Sequence, residues 1–140
     1  MDCWALLRCG DGRGDAGIQI GRMRDHRKLR VWVCASELSV YVYRATASLE
    51  RGAEHYQRQL RRSVASIAAT IAEGHAQSSG AQFCRYLAMS LGSVAESLNH
   101  CGELRALSLL PLSRLDHMES ELARLQLMIV RLRNWIKQKR

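Results

Sequence analysis

The chain holds one proline and one phenylalanine in 140 residues, and only 6% of it is aromatic. Proline is barred from helix interiors, so its near absence leaves room for long unbroken helices. No aromatic-rich strand of the kind on which RNA-binding sheets stack bases is present. No uncharged run approaches the 18 or more apolar residues of a membrane span. Ser63 to Ala72 and Tyr86 to Ala95 are among the longest, and both have the size of a core helix. Cysteine is odd in number, and Cys3, Cys9, Cys34, Cys84 and Cys101 form no Cys-x-x-Cys pair. That pattern argues against a disulfide framework and a structural zinc site, and it assigns the chain to a reducing, cytoplasmic compartment with these residues as small buried hydrophobes.

What remains is 47% hydrophobic and 24% charged, the composition and length of one globular domain. Lys and Arg number 21 against 13 Asp and Glu, a net charge of +8, which favours a polyanion or an acidic partner. Residues 1–22 contain five of the ten glycines and almost no periodic apolar pattern, so they read as a flexible extension that cannot bury enough surface to offset its ordering entropy. The opening segment lacks the features of a secretory signal. The organised domain spans residues 23–140, and Met23, at its start, is a candidate translation start.

Four helices and no strand are expected. The first covers about Arg27 to Ser48, with Leu29, Trp32, Val33, Ser36, Val40, Tyr43 and Ala47 on its stripe. The second covers about Ala53 to Glu73 with Leu60, Val64, Ile67 and Ile71 inward, and Gly74 as its stop. The third starts at a cap formed by Ser78 or Ser79, carries Phe83, Leu87, Leu91, Val94, Leu98 and Cys101, and frays near Gly102. Pro111 punctuates the turn into the fourth. There Leu115, Met118, Leu122, Leu125, Ile129, Leu132 and Ile136 step alternately by three and four, an unbroken seam that asks for nearly antiparallel packing. The expected fold is all-α, an antiparallel up-down-up-down four-helix bundle.

The second helix carries no charge on any face between Arg62 and Glu73, and the third carries none between Arg85 and Glu96. A helix apolar all round is buried all round. Ala65, Ala68, Ala69, Ala72, Tyr86, Met89 and Ser93 are therefore candidates for contact with a second copy of the chain. The alternative is that these alanines simply favour helix on any face.

The run Arg61-Arg62-Ser63-Val64-Ala65-Ser66-Ile67-Ala68-Ala69-Thr70-Ile71-Ala72-Glu73-Gly74, with Gln82-Phe83-Cys84-Arg85-Tyr86-Leu87 and Leu91-Gly92-Ser93-Val94-Ala95-Glu96, resembles the four-helix-bundle proteins encoded in bacterial 23S rRNA intervening sequences. Asp25-His26-Arg27-Lys28-Leu29-Arg30-Val31-Trp32 is similar to that family's usual start. The resemblance runs from Met23 to about Lys137. It departs at Ala68, where the family commonly has Pro, and at Thr70, where it commonly has Asn; losing the Pro bears on a kink in the second helix and not on the bundle. The resemblance implies a bacterial, cytoplasmic homo-oligomer, commonly a pentamer, similar in fold to the basic accessory protein of diversity-generating retroelements, which engages a reverse transcriptase and nucleic acid.

Three basic clusters are candidates for nucleic-acid contact: Arg24, Arg27, Lys28 and Arg30; Arg58, Arg61 and Arg62; and Arg131, Arg133, Lys137, Lys139 and Arg140. Repeated around an oligomer they would attract phosphate and release counterions, largely blind to base sequence. Bases in a last helical turn also offset the helix dipole, which is the competing account of the third cluster. No Glu-x-x-His pair supports a di-metal site, Glu96 and His100 read as a simple i,i+4 pair, and Ser63, Ser66, Ser90 and Ser93 have no visible base. No enzyme, metal or cofactor is expected. The reading is a basic oligomeric adaptor for nucleic acid or a nucleic-acid enzyme; the alternative is a protein-binding scaffold that meets an acidic partner.

Overall fold

The computed structural model describes residues 25–139. The expectations for residues 1–22, for Met23 and for Arg24 and Arg140 lie outside this range. A 3-10 turn at His26–Lys28 precedes α1 (Arg30–Ala45), α2 (Glu54–His75), α3 (Gly80–Ala106) and α4 (Leu112–Gln138), and no strand occurs among the described residues. The four helices pack on one another around one core, with α2 against α3 the most extensive contact. No described helix is long and apolar enough to cross a membrane.

The heptad seam of α4 is buried along its whole length, all seven residues facing the core. Each such side chain contributes about 1.5–3 kcal/mol relative to exposure. Leu60, Val64, Ile67 and Ile71 of α2 are likewise completely buried, as are Leu87 and Cys101 of α3, while Leu91 and Leu98 are partly covered against the same core. Ala68 belongs to this core too, so it is covered by its own chain and offers no surface to a second copy. α2 runs unbroken through it.

The stripe expected on α1 is corrected. The buried residues are Val31, Cys34, Ala35, Leu38, Val42 and Ala45, whereas Val40 and Tyr43 are 51% and 62% exposed. Of the expected set, Leu29 and Trp32 are partly buried against the core, and Ala47 lies beyond the helix end. Both stripes step by three and four, so helical periodicity has two solutions on this segment and packing selects one.

Caps and small residues set the remaining geometry. Ser79 caps α3, its Oγ accepting from the Gln82 N–H at 3.2 Å. α3 passes through Gly102 without fraying and ends at Ala106, where Ser108, at φ 52°, lets the Leu109 N–H reach the Leu104 carbonyl at 3.0 Å and the Ser108 N–H reach Arg105 at 3.1 Å. Gly52, at φ 96°, turns the chain between α1 and α2. Gly74 does not stop α2. It lies inside the helix, where a Cβ would come within 2.5 Å of Tyr86 Cβ, so its function is close approach of α3.

Below that contact the hydroxyls of α2 and α3 meet. Ser66 Oγ lies 2.7 Å from Ser93 Oγ, Ser97 Oγ lies 2.9 Å from Ser63 Oγ, and Ser90 Oγ donates to the Ile67 carbonyl at 3.2 Å. These serines are buried or half-buried and their polar atoms bond across the helix pair. Residue numbers fall along α2 as their partners' numbers rise along α3. The same reciprocal numbering joins α1 to α4, through the Tyr41 and His117 rings at 4.5 Å and Arg124 to Cys34 Sγ at 3.6 Å. It also joins α3 to α4, through Arg105 to Asp116 and Glu119, both at 2.8 Å, and Cys84 Sγ to the Arg133 carbonyl at 3.7 Å.

Candidate nucleic-acid interface

The ends of the bundle differ in charge. At one end the start of α1, the α2–α3 turn and the last turns of α4 surround an open cleft of about 620 Å³, lined by Leu29, His75, Gln77, Ser79, Gly80, Phe83, Leu132, Trp135, Ile136 and Lys139. The elements that meet there carry Arg27, Lys28, Arg30, Arg85, Arg131, Arg133, Lys137 and Lys139, eight bases against only Asp25 and Glu73. The opposite end carries Arg44, Arg51, Arg58, Arg61, Arg62, Arg105 and Arg114 against Glu50, Glu54, Glu96, Glu103, Asp116 and Glu119, close to neutrality. Folding therefore unites the described members of the first and third basic clusters, which are about a hundred residues apart in the chain, and leaves the second elsewhere. At a rise of about 1.5 Å per residue, Arg58 and Arg62 lie roughly 20–25 Å along α2 from the cleft.

Arg61 has a structural task. Its Nη2 donates to the Tyr43 carbonyl at 2.7 Å, its Nε to Thr46 Oγ1 at 2.9 Å, and its guanidinium carbon stands 4.0 Å from the Tyr43 ring centroid. Gln57 Nε2 bonds the Thr46 carbonyl, and Arg114 Nη1 donates to the Ala45 carbonyl at 2.9 Å. The last carbonyls of α1, which have no partner within the helix, thus collect cationic donors from α2 and α4. Arg61 is committed to that cap.

At the basic end most charges stay open to water. Arg30, Arg131, Lys137 and Lys139 are exposed and Arg133 is half-buried. Arg27 is paired locally: Asp25 Oδ1 accepts from its Nε at 2.8 Å, which holds the Asp25 carboxyl below the ordinary carboxylate range and raises the guanidinium. Arg27 keeps 73% side-chain exposure, so the pairing does not hide it. Lys139 Nζ lies 4.3 Å from the Trp135 ring centroid. Arg85 and Trp135 are the residues that the sequence reading passed over. Their signal was weak, a base and a ring lying off the apolar stripes of their helices and brought to the same end only by the turn at residues 76–79.

The expected self-contact residues divide. Ala65 and Ala69 are exposed, Met89 is 54% exposed, and Ala72 and Tyr86 are half-buried. Ser93 bonds Ser66 of its own chain, so its hydroxyl belongs to the α2–α3 contact. Leu127 and Val130 on α4 add exposed apolar area outside the seam.

Chemistry elsewhere is quiet. Cys34, Cys84 and Cys101 are free and buried, and burial with Glu119 nearby pushes the Cys101 thiol up to about 12, far from a reactive thiolate. His100, with 13% of its side chain exposed, meets Glu103 at 2.9 Å through Nδ1 and lies 3.6 Å from Glu96 through Nε2, all three residues on α3. Among the described residues no three His, Cys, Asp or Glu side chains gather as metal ligands would.

A family model described as 23S rRNA-intervening sequence protein matches residues 27–131. The chain belongs to this family. The match spans all three basic clusters in part, from Arg27 to Arg131, and it includes the small-residue faces of α2 and α3. No curated protein matches the chain. Family membership and the four packed helices agree; the charge of the bundle end is a property of these particular residues.

Proposed function

We propose that this member of the 23S rRNA-intervening sequence protein family is a basic, non-enzymatic helical adaptor that binds nucleic acid, or a nucleic-acid enzyme, through the positive end of its bundle. The observation that carries the reading is the asymmetry of the ends, eight bases against two acids on the elements that meet at the cleft, Lys139 alone of the eight lining it, and near balance opposite. A field of one sign at one end steers a polyanion to that end. The reciprocal numbering of helix contacts supports the antiparallel up-down-up-down arrangement, which is what brings the start of α1 and the end of α4 together.

The adaptor is a homo-oligomer in this reading. Ala65, Ala69, Ala72, Tyr86 and Met89 form a charge-free surface on α2 and α3, small enough in relief for close helix approach, and a pentamer is the assembly the family resemblance favours. Sedimentation at micromolar concentration tests it, and a lone compact particle rejects it.

The binding experiment is retention of RNA by the purified chain as a function of salt. If half of the eight bases each neutralise one phosphate of a duplex, log K falls with log salt at a slope of about −3.6, roughly 150-fold between 50 and 200 mM. Absence of retention at low salt overturns the reading and favours a scaffold whose charge meets an acidic protein.

A further inference from the structure

The cleft at the basic end combines features that plain phosphate binding does not use. Its volume, about 620 Å³, falls in the range of small-ligand sites, roughly 300–1,000 Å³. Leu29, Phe83, Leu132 and Ile136 give it an apolar lining, and Trp135 borders it with 41% of its surface exposed. Lys139 Nζ stands 4.3 Å from the centroid of that ring. The ammonium lies over the face of this half-open indole, where a stacked base would sit, so a base reaches the ring only as Lys139 swings from it to the attached phosphate; ring and ammonium then match the two parts of a nucleotide.

We infer that the cleft receives one unpaired base of a nucleic-acid strand, with Trp135 as the stacking surface and Lys139 holding the neighbouring phosphate. The inference rests on the proposed reading of the basic end and adds a substrate preference to it. A fully paired duplex keeps its bases stacked inside the helix and reaches the bundle end through phosphates alone. An apolar peptide would fill the same lining, yet it would leave the surrounding positive charge without a counterpart. Charge complementarity therefore selects the strand over the peptide.

The test compares two RNA probes, a blunt duplex and the same duplex with an unpaired overhang, by fluorescence anisotropy with the full chain. The overhang is expected to tighten binding. Trp135→Leu should then weaken the overhang probe by about five- to 150-fold, the cost of losing one stacked base, and leave the blunt probe unchanged. Trp135→Phe should retain most of the gain. Lys139→Gln, at an exposed position, should weaken the overhang probe more than the blunt one, and this gives the same answer if the Trp135 variant fails to fold. Equal binding of the two probes by the unaltered chain, or an overhang gain that survives Trp135→Leu in a folded protein, overturns the inference while the basic-end reading stands. Failure of the blunt duplex to bind at low salt overturns the basic-end reading and the inference with it.

Discussion

Gly74 offers the most direct test of how the α2–α3 pair is built. Replacing it with Ala has two opposed effects. In an ordinary helix interior the change favours helix by about 1 kcal/mol, because Gly gives up more backbone freedom on folding. Here the new methyl would lie 2.5 Å from Tyr86 Cβ and 2.9 Å from Phe83 Cδ2. The Tyr86 Cβ is fixed to the α3 backbone, so no rotamer change relieves the contact and the helices must separate. Overpacking of this kind costs about 1–3 kcal/mol. The 2.5 Å contact belongs to the upper part of that range, so the steric cost outweighs the gain in propensity and a net loss of up to about 2 kcal/mol is expected, a fall in Tm of up to roughly 8 °C for a domain of this size. Gly102 is the control. It lies within α3 with nothing within 4 Å of an added Cβ, so Gly102→Ala should stabilise by about 1 kcal/mol through the helix term alone. Thermal melts followed by far-UV circular dichroism compare the two variants. If Gly74→Ala raises Tm as Gly102→Ala does, the close approach of α2 and α3 is wrong, and with it the placement of the turn that borders the cleft.

Further outcomes follow from the charged and buried groups. Arg61→Ala should lower stability by about 1–2 kcal/mol, since it strips hydrogen bonds from Tyr43 and Thr46 at the end of α1, while the exposed Arg62→Ala should stay within about 0.5 kcal/mol; paired melts check this, and equal effects would remove Arg61 from its capping role. Cys101, with its thiol raised to about 12 by burial, should resist alkylation at pH 8 in native protein and react once denatured, as peptide mapping after mild iodoacetamide treatment would show. The His100 hydrogen bond holds the Glu103 carboxyl below its ordinary value of 4.5. The folded state therefore binds that proton less readily than the unfolded one, so the contribution is present above about pH 4.5 and disappears as pH falls through the lowered value. Glu103→Gln should flatten this part of the acid limb in a Tm-against-pH series, and an unchanged limb would show that the contact contributes nothing.

The seam of α4 was legible because its seven residues admit one amphipathic solution, and the structure buries every one. Ser79 as a cap and Pro111 at the entry to α4 were legible for the same local reason, since capping and the missing proline N–H act within a few residues. Gly74 was misread because a glycine has the same local signature whether it ends a helix or admits a neighbour, and Gly102 because an exposed glycine inside a helix shows that signature while doing neither. The face of α1 was misread because Val40 is as apolar as Val42 and Tyr43 carries a large ring, so both stripes offer apolar surface and only contact with α2 and α4 decides which turns inward.

The same division holds for the candidate site. Sequence alone determined the surplus of positive charge, the three clusters that carry it and the number and type of the helices, because those are sums and periodicities along one dimension. Tertiary structure decided that Arg27, Lys28 and Arg30 share an end with Arg131, Arg133, Lys137 and Lys139, that Arg61 caps a helix instead, and that Trp135 and Phe83 border one cleft. Those are relations between residues far apart in the chain. They come into being when the buried stripes of four helices satisfy one another at once, and no single stripe contains them.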